Sequence, residues 1–160
     1  MQKHGICLPS VLPCSPCFRV PELHEKGENE IVINYTHSHK GYDFGEETSK
    51  IIAACIEVHK VLGPGLKEVD YQRALVYEFP VHGLDFSREV HIPIYYKGHK
   101  ITTKRVDFVV GDCIVEIKAK RELDPEDYMQ TLAYLKASGY KVGLLINFGR
   151  KKIEVKRLVN

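Results

Sequence analysis

Two carboxylates and a lysine stand where a buried strand has no need of them. The stretch VDFVVGDCIVEIKAK, Val106 to Lys120, is almost wholly apolar, yet it carries Asp107, Glu116 and Lys118. Gly111-Asp112 reads as the two-residue turn of a β-hairpin. With that turn, Val110 faces Cys113, Val109 faces Ile114, Phe108 faces Val115, and Asp107 faces Glu116. Side chains alternate between the faces of a strand. One face then carries Phe108, Val110, Cys113, Val115, Ile117 and Ala119, a core set. The other carries Asp107, Val109, Ile114, Glu116 and Lys118.

Directly opposed cross-strand residues bring their Cβ atoms to about 4.5–5.5 Å. Two carboxylates so placed repel each other unless positive charge lies between them. Lys118 shares the face but sits off register, and a point charge on a long stem bridges both acids poorly. Hard oxygen ligands at this spacing suit a divalent cation, Mg2+ or Mn2+. The plainer reading of Glu-x-Lys is a solvated ion pair. Against it, Val109 and Ile114 on the same face imply that the face is at least half covered.

The flanking elements must position these groups. In SKIIAACIEVHKVLGPG, Ile51, Ile52, Cys55, Val58, His59 and Leu62 recur at helical spacing, and Gly63-Pro64-Gly65 ends that helix. His59 follows the apolar face and reads as a packed or capping histidine. A second helix is expected over Leu66–His82, with Gly83 as its stop. In FSREVHIPIYYKG the period becomes two, with Phe86, Val90, Ile92 and Ile94 on one face and Lys97-Gly98 as a turn. Strands are expected over Ile101–Val110 and Cys113–Ala119, then a helix over Pro125–Ser138 ended by Gly139. KVGLLINF is apolar throughout and reads as a strand covered on both faces. KKIEVKRLV alternates and reads as an edge strand. The order ααβββαββ predicts an α/β or α+β domain, a mixed central sheet flanked by helices.

Residues 1–44 differ in kind. Pro, Cys, His, Ser and Asn are frequent, no period is sustained, and one short strand around Ile31–Tyr35 is the only element expected. This segment reads as a poorly ordered or loosely attached arm before a domain over 45–160. Its apolar start is broken by three prolines, a poor signal peptide. No apolar run reaches the roughly 18 residues of a membrane-spanning helix. The formal net charge of +2 gives no global field for a polyanion, so any such partner must meet a local patch. Arg88, Lys104, Arg105, Lys120 and Arg121 are candidates for phosphate contacts, although as a set they read as solvated surface. The cysteines number five, an odd count, with Cys55 and Cys113 inside apolar runs. Buried free thiols and a reducing, cytoplasmic setting are expected. Cys14 and Cys17 form a lone C-x2-C without a partner pair, a weak zinc signal.

The acid, acid-x-Lys arrangement resembles the PD-(D/E)xK nuclease superfamily. GPGLKEVDYQRAL places Gly65, Glu68 and Tyr71 at the spacing that names the GxxExxY family, and IEVHKVLGPG and KVGLLINFG look similar to it as well. MQTLAYL holds Gln130 and Tyr134, a Q-x3-Y pair that resembles the RecB-like branch. The resemblance covers about Lys50 to Val159. It implies a restriction-endonuclease-like core and metal-dependent phosphodiester hydrolysis in nucleic acid, with DNA expected. It implies Asp107 and Glu116 as ligands of Mg2+ or Mn2+, the Ile117 carbonyl completing the shell, and Glu68 as a further ligand or water holder. Lys118 would position or deprotonate the water, or stabilise developing charge. Gln130, Tyr134 and Tyr71 would support them.

Each of these residues also has a plainer reading. Glu68 suits the first turn of any helix, and Gln130 and Tyr134, four apart, suit any helix surface. The competing function is a catalytically silent module that binds nucleic acid or a protein partner. A third is an enzyme acting on small phosphodiesters. A domain of this size leaves little room for its own specificity module, so a homodimer or an accessory protein is a natural expectation.

Overall fold

The computed structural model describes residues 32–35 and 45–160. Its elements are β1 (Val32–Tyr35), α1 (Gly45–Leu62), α2 (Glu68–Val81), β2 (Phe86–Tyr96), β3 (His99–Val110), β4 (Cys113–Lys118), α3 (Pro125–Ser138), β5 (Val142–Asn147) and β6 (Glu154–Val159). From residue 45 onward the order is the expected ααβββαββ. Local chemistry accounts for the boundaries. Asp124 caps α3 by accepting from the N–H groups of Glu126 and Asp127, and Asp127 returns a bond to the Asp124 N–H. Gly139 ends that helix in the left-handed conformation. Gly111 alone has positive φ in the β3–β4 turn, as a type II′ turn requires.

The strands form one mixed sheet in the order β1-β6-β5-β4-β3-β2. β4 is central, antiparallel to β3 and parallel to β5. β5 is buried at every position, as its unbroken apolar run required. β6 corrects the expectation of an edge strand, because β1 pairs parallel along its outer side. The alternation in KKIEVKRLV reports which faces are covered. Edge status depends on hydrogen bonding within the sheet plane, which alternation does not encode. β1 matches the short strand expected around Ile31–Tyr35. The rest of segment 1–44, including Cys14 and Cys17, lies outside the described residues.

Helices cover both faces. α1 and α2 bury Ile51, Cys55, Tyr71, Leu75 and Phe79 against Phe108, Val110, Cys113, Val115 and Ile117. α3 packs Tyr134 and Leu135 against Ile92, Val106, Val109 and Ile114. Phe79, Phe86 and Phe108 meet edge to face at 5.3–5.7 Å, each pair contributing about 0.5–1.5 kcal/mol beyond its buried area. Cys55 and Cys113 are buried free thiols, and burial raises the pKa of both. His59 is packed as expected, its Nε2 2.8 Å from the Arg150 carbonyl oxygen.

The loop after β5 clamps the end of β4. Phe148 donates its N–H to the Lys118 carbonyl at 2.7 Å, and the Asn147 side-chain oxygen accepts from the N–H groups of Lys120 and Gly149. Gly149 lies so close that a Cβ there would overlap the Lys120 backbone. Gly149→Ala is therefore expected to lower the unfolding free energy by about 1–3 kcal/mol, read from the urea midpoint. An unchanged midpoint would mean that the loop does not hold the strand end.

Candidate active site

The β2–β3–β4 ladder breaks at Asp107. β3 pairs with β4 only through Phe108–Val115, one position short of the expected Asp107–Glu116 pair. On the other side, the β2–β3 register skips Glu89 and Asp107 between Arg88–Phe108 and Val90–Val106. Glu89 has φ 55°, in the left-handed region that non-glycine residues seldom occupy. The strands change face here. Phe86 and Phe108 pack toward α1 and α2, whereas Val90, Ile92, Ile94 and Val106 pack toward α3. This corrects the single face expected for Phe86, Val90, Ile92 and Ile94. It also removes Asp107 from the face of Val109 and Ile114. A strict period of two cannot survive a residue that leaves the ladder.

The break frees the Asp107 carboxylate to act as a backbone substitute. Oδ2 accepts from the Ile117 N–H at 2.8 Å, and Oδ1 from the Gln72 side chain on α2 at 2.7 Å. Burial raises the Asp107 pKa, countered by the Ile117 N–H and by Lys118. Glu116 is buried on the central strand, and its Oε1 has no hydrogen-bond partner among the described residues. Burial first, then the Asp107 charge, pushes its carboxyl up to about 8.

Lys118 reaches the other helix layer. Its Nζ donates to Gln130 Oε1 at 3.1 Å and lies 3.6 Å from Asp127 Oδ1. Gln130 in turn donates to the Tyr134 hydroxyl at 2.6 Å. The Q-x3-Y pair thus orients Lys118. Asp127, buried at the start of α3, also pairs with Lys120 at 2.7 Å. Glu68, the first residue of α2, accepts from the Ala119 N–H at 3.3 Å just beyond β4.

Asp107, Glu116, Lys118, Glu68, Gln130 and Tyr134 thus converge on the end of β4. Tyr71 does not join them. Its hydroxyl donates to the Gly63 carbonyl at 2.7 Å and accepts from the Leu66 N–H, while its ring stacks on Phe148 at 4.5 Å. It pins the α1–α2 loop that launches Glu68. Ile117 buries its side chain and gives its N–H to Asp107, leaving its carbonyl as the backbone group that could face a cation. Two site residues, Gln72 and Asp127, escaped the sequence reading. Gln72 is four residues after Glu68, a spacing that marked it as a face neighbour. Arg88, expected from the sequence only as a candidate phosphate contact, donates to Gln72 at 3.3 Å. Asp127 is three residues before Gln130, its carboxylate part of the α3 cap.

A family model of the PD-(D/E)XK nuclease superfamily matches residues 45–158. The chain belongs to this superfamily. No curated protein and no solved structure matches it. PD-(D/E)XK members typically use divalent metals, so the fit must be judged on these side chains. No three His, Cys, Asp or Glu side chains among the described residues form a ready cage. The fit rests instead on Glu116 Oε1, a buried oxygen without a donor among the described residues, beside the half-buried Asp107 carboxylate. A hard cation would satisfy both the orphaned oxygen and the repulsion.

The sign of the pH dependence follows. Between its ordinary value of 4.5 and about 8, folded Glu116 holds a proton that the unfolded chain has lost. Metal-free stability therefore falls as pH rises through that window. At about 1.4 kcal/mol per unit, the loss is of the order of a few kcal/mol. Glu116→Gln is expected to flatten the fall, measured as urea midpoints in EDTA from pH 5 to pH 9. A parent profile that rises across the window would contradict a desolvated Glu116. At pH 8, saturating Mg2+ is expected to raise the parent's melting temperature but not that of Glu116→Gln. Equal shifts would place the cation elsewhere.

Proposed function

We propose that this PD-(D/E)XK domain is a Mg2+- or Mn2+-dependent nuclease that hydrolyses phosphodiesters in nucleic acid, with DNA as the polymer. The observation that carries the reading is the buried, unpartnered Glu116 Oε1 set beside Asp107, with Lys118 held at the same strand end. Asp107, Glu116 and the Ile117 carbonyl would hold the cation, with Glu68 assisting. A bound divalent ion would lower the pKa of a water and neutralise charge on the phosphate. Lys118 presents an ammonium that Gln130 and Asp127 keep in place, suited to positioning the attacking water or stabilising charge on the phosphate oxygens. Gln72 and the Ile117 N–H fix the Asp107 carboxylate so that it need not reorganise.

The Gly65, Glu68 and Tyr71 spacing supports placement in the GxxExxY family. Buried free thiols support a cytoplasmic setting, and residues 1–44 would be an arm that lends β1 to the sheet of the 45–160 domain. A homodimer or an accessory protein would supply the specificity that so small a domain lacks. The lack of a ready three-ligand cage among the described residues favours a second reading, a silent module that binds nucleic acid or protein.

Cleavage decides between them. Supercoiled and linear duplex DNA, single-stranded DNA and RNA are incubated with Mg2+, Mn2+ or EDTA. Metal-dependent cutting is expected, and Lys118→Ala is expected to slow it by at least about 100-fold while metal still raises the melting temperature. Equal rates for parent and variant would exclude this role for Lys118. No cutting of any polymer would leave the silent module.

A further inference from the structure

The β2–β3 hairpin extends beyond both helix layers. Every residue from Tyr95 to Arg105 is exposed. The segment is nonetheless a paired ribbon. Tyr96 pairs with His99, and Lys97 and Gly98 take φ of 48° and 81°, as a type I′ turn requires. From Val90 to Val106 there are four cationic side chains (Lys97, Lys100, Lys104 and Arg105) and no Asp or Glu. The whole chain sums to +2, so the remainder carries +2 − 4 = −2. The ribbon thus carries twice the chain's net charge with no acid inside it to offset the cations. Arg105 pairs with Glu89 at the ribbon's base, 3.6 Å away. Among the described residues, Lys97, Lys100 and Lys104 have no ion pair.

Lysines on an exposed strand also prevent edge-to-edge aggregation. That purpose does not explain Tyr95, Tyr96 and Ile101, each at least 60% exposed beside them. Cations interleaved with exposed aromatic and apolar groups, without acids, suit a polyanion that also offers base edges and sugar surface.

We infer that the β2–β3 ribbon is a DNA-binding arm that enters the major groove of a duplex and sets Lys97, Lys100 and Lys104 against its phosphates. The inference rests on the nuclease reading for its polymer and adds the element that grips it. A B-form major groove, about 12 Å wide, admits a two-stranded ribbon. The deep, narrow major groove of A-form RNA does not. Gly98 is nine residues from Asp107, about 30 Å at strand rise. That is close to one turn of B-form DNA, about 34 Å. A duplex held by the ribbon therefore passes the acid site roughly one turn away.

The test measures binding without cleavage. The full chain is titrated in EDTA against a labelled DNA duplex from about 50 to 200 mM salt, followed by fluorescence anisotropy. The triple variant Lys97→Gln, Lys100→Gln, Lys104→Gln is expected to bind at least tenfold more weakly at low salt. Its slope of log affinity against log salt should be shallower by about 2.7, at 0.9 per lost phosphate contact. The matching RNA duplex should bind the parent more weakly. Exposed lysines leave folding intact, checked by an unchanged melting temperature. An unchanged slope, or no duplex binding by the parent, overturns the inference. An equal loss on RNA overturns the groove assignment. Metal-dependent cleavage is read separately. Ribbon-dependent binding without cleavage sinks only the nuclease reading. Cleavage and binding that ignore the triple variant sink only the ribbon.

Discussion

Burying Glu116 beside Asp107 is the constraint around which the domain is arranged. Two carboxylates in a dry interior oppose folding unless each finds donors or a cation. Asp107 has donors in the Ile117 N–H and Gln72. Glu116 lacks one at Oε1. Lys118 is near enough to lower the pKa of both acids, but its hydrogen bond goes to Gln130 instead. The residual frustration is specific to one oxygen. An apolar side chain of similar volume would serve the fold better, so packing alone does not account for Glu116.

The surrounding elements make that placement tolerable. β4 is central, with strands on both sides and helices on both faces, so its acid is dry and rigidly held. α2 begins at Glu68 beside the end of β4, and the buried Tyr71 hydroxyl sets the loop that starts it there. α3 begins at a cap whose acid, Asp127, also restrains Lys118 and Lys120. Asn147, Phe148 and Gly149 hold the same strand end from β5. The positive φ at Glu89 costs of the order of 1–3 kcal/mol. Pairing on either side of it, and two separate cores, hold it in place.

The change of face at Asp107 also links the site to the projecting ribbon. Below the break, Phe86, Phe108 and Val110 belong to the α1–α2 core. Above it the strands turn toward α3 and then run out into solvent. The residue that leaves the ladder to present a carboxylate thus also redirects the strands. One irregularity serves both ends of β3.

Much of this was legible in the chain itself. Turn and cap chemistry is local, so Gly111-Asp112, Gly139 and Pro125 marked their boundaries, and the order ααβββαββ followed. Asp107, Glu116 and Lys118 stood out because polar groups in apolar runs need a reason, whereas Glu68, Gln130 and Tyr134 stood out only through their resemblance to nuclease-family motifs. Other features were not legible. The pairing of β1 with β6 depends on in-plane hydrogen bonds that side-chain alternation does not report. The face change at Glu89 and Asp107 is a backbone choice invisible to a period of two. Tyr71 looked like a site residue by spacing, yet its hydroxyl turned to the loop. Gln72 and Asp127 gained their roles only when α2 and α3 came to rest against β4. Sequence by itself determined which residues carry charge and where the chain turns, because both are properties of neighbours along the backbone. Tertiary structure alone decided which charges share one dry space, because desolvation and Coulomb coupling depend on distance through space.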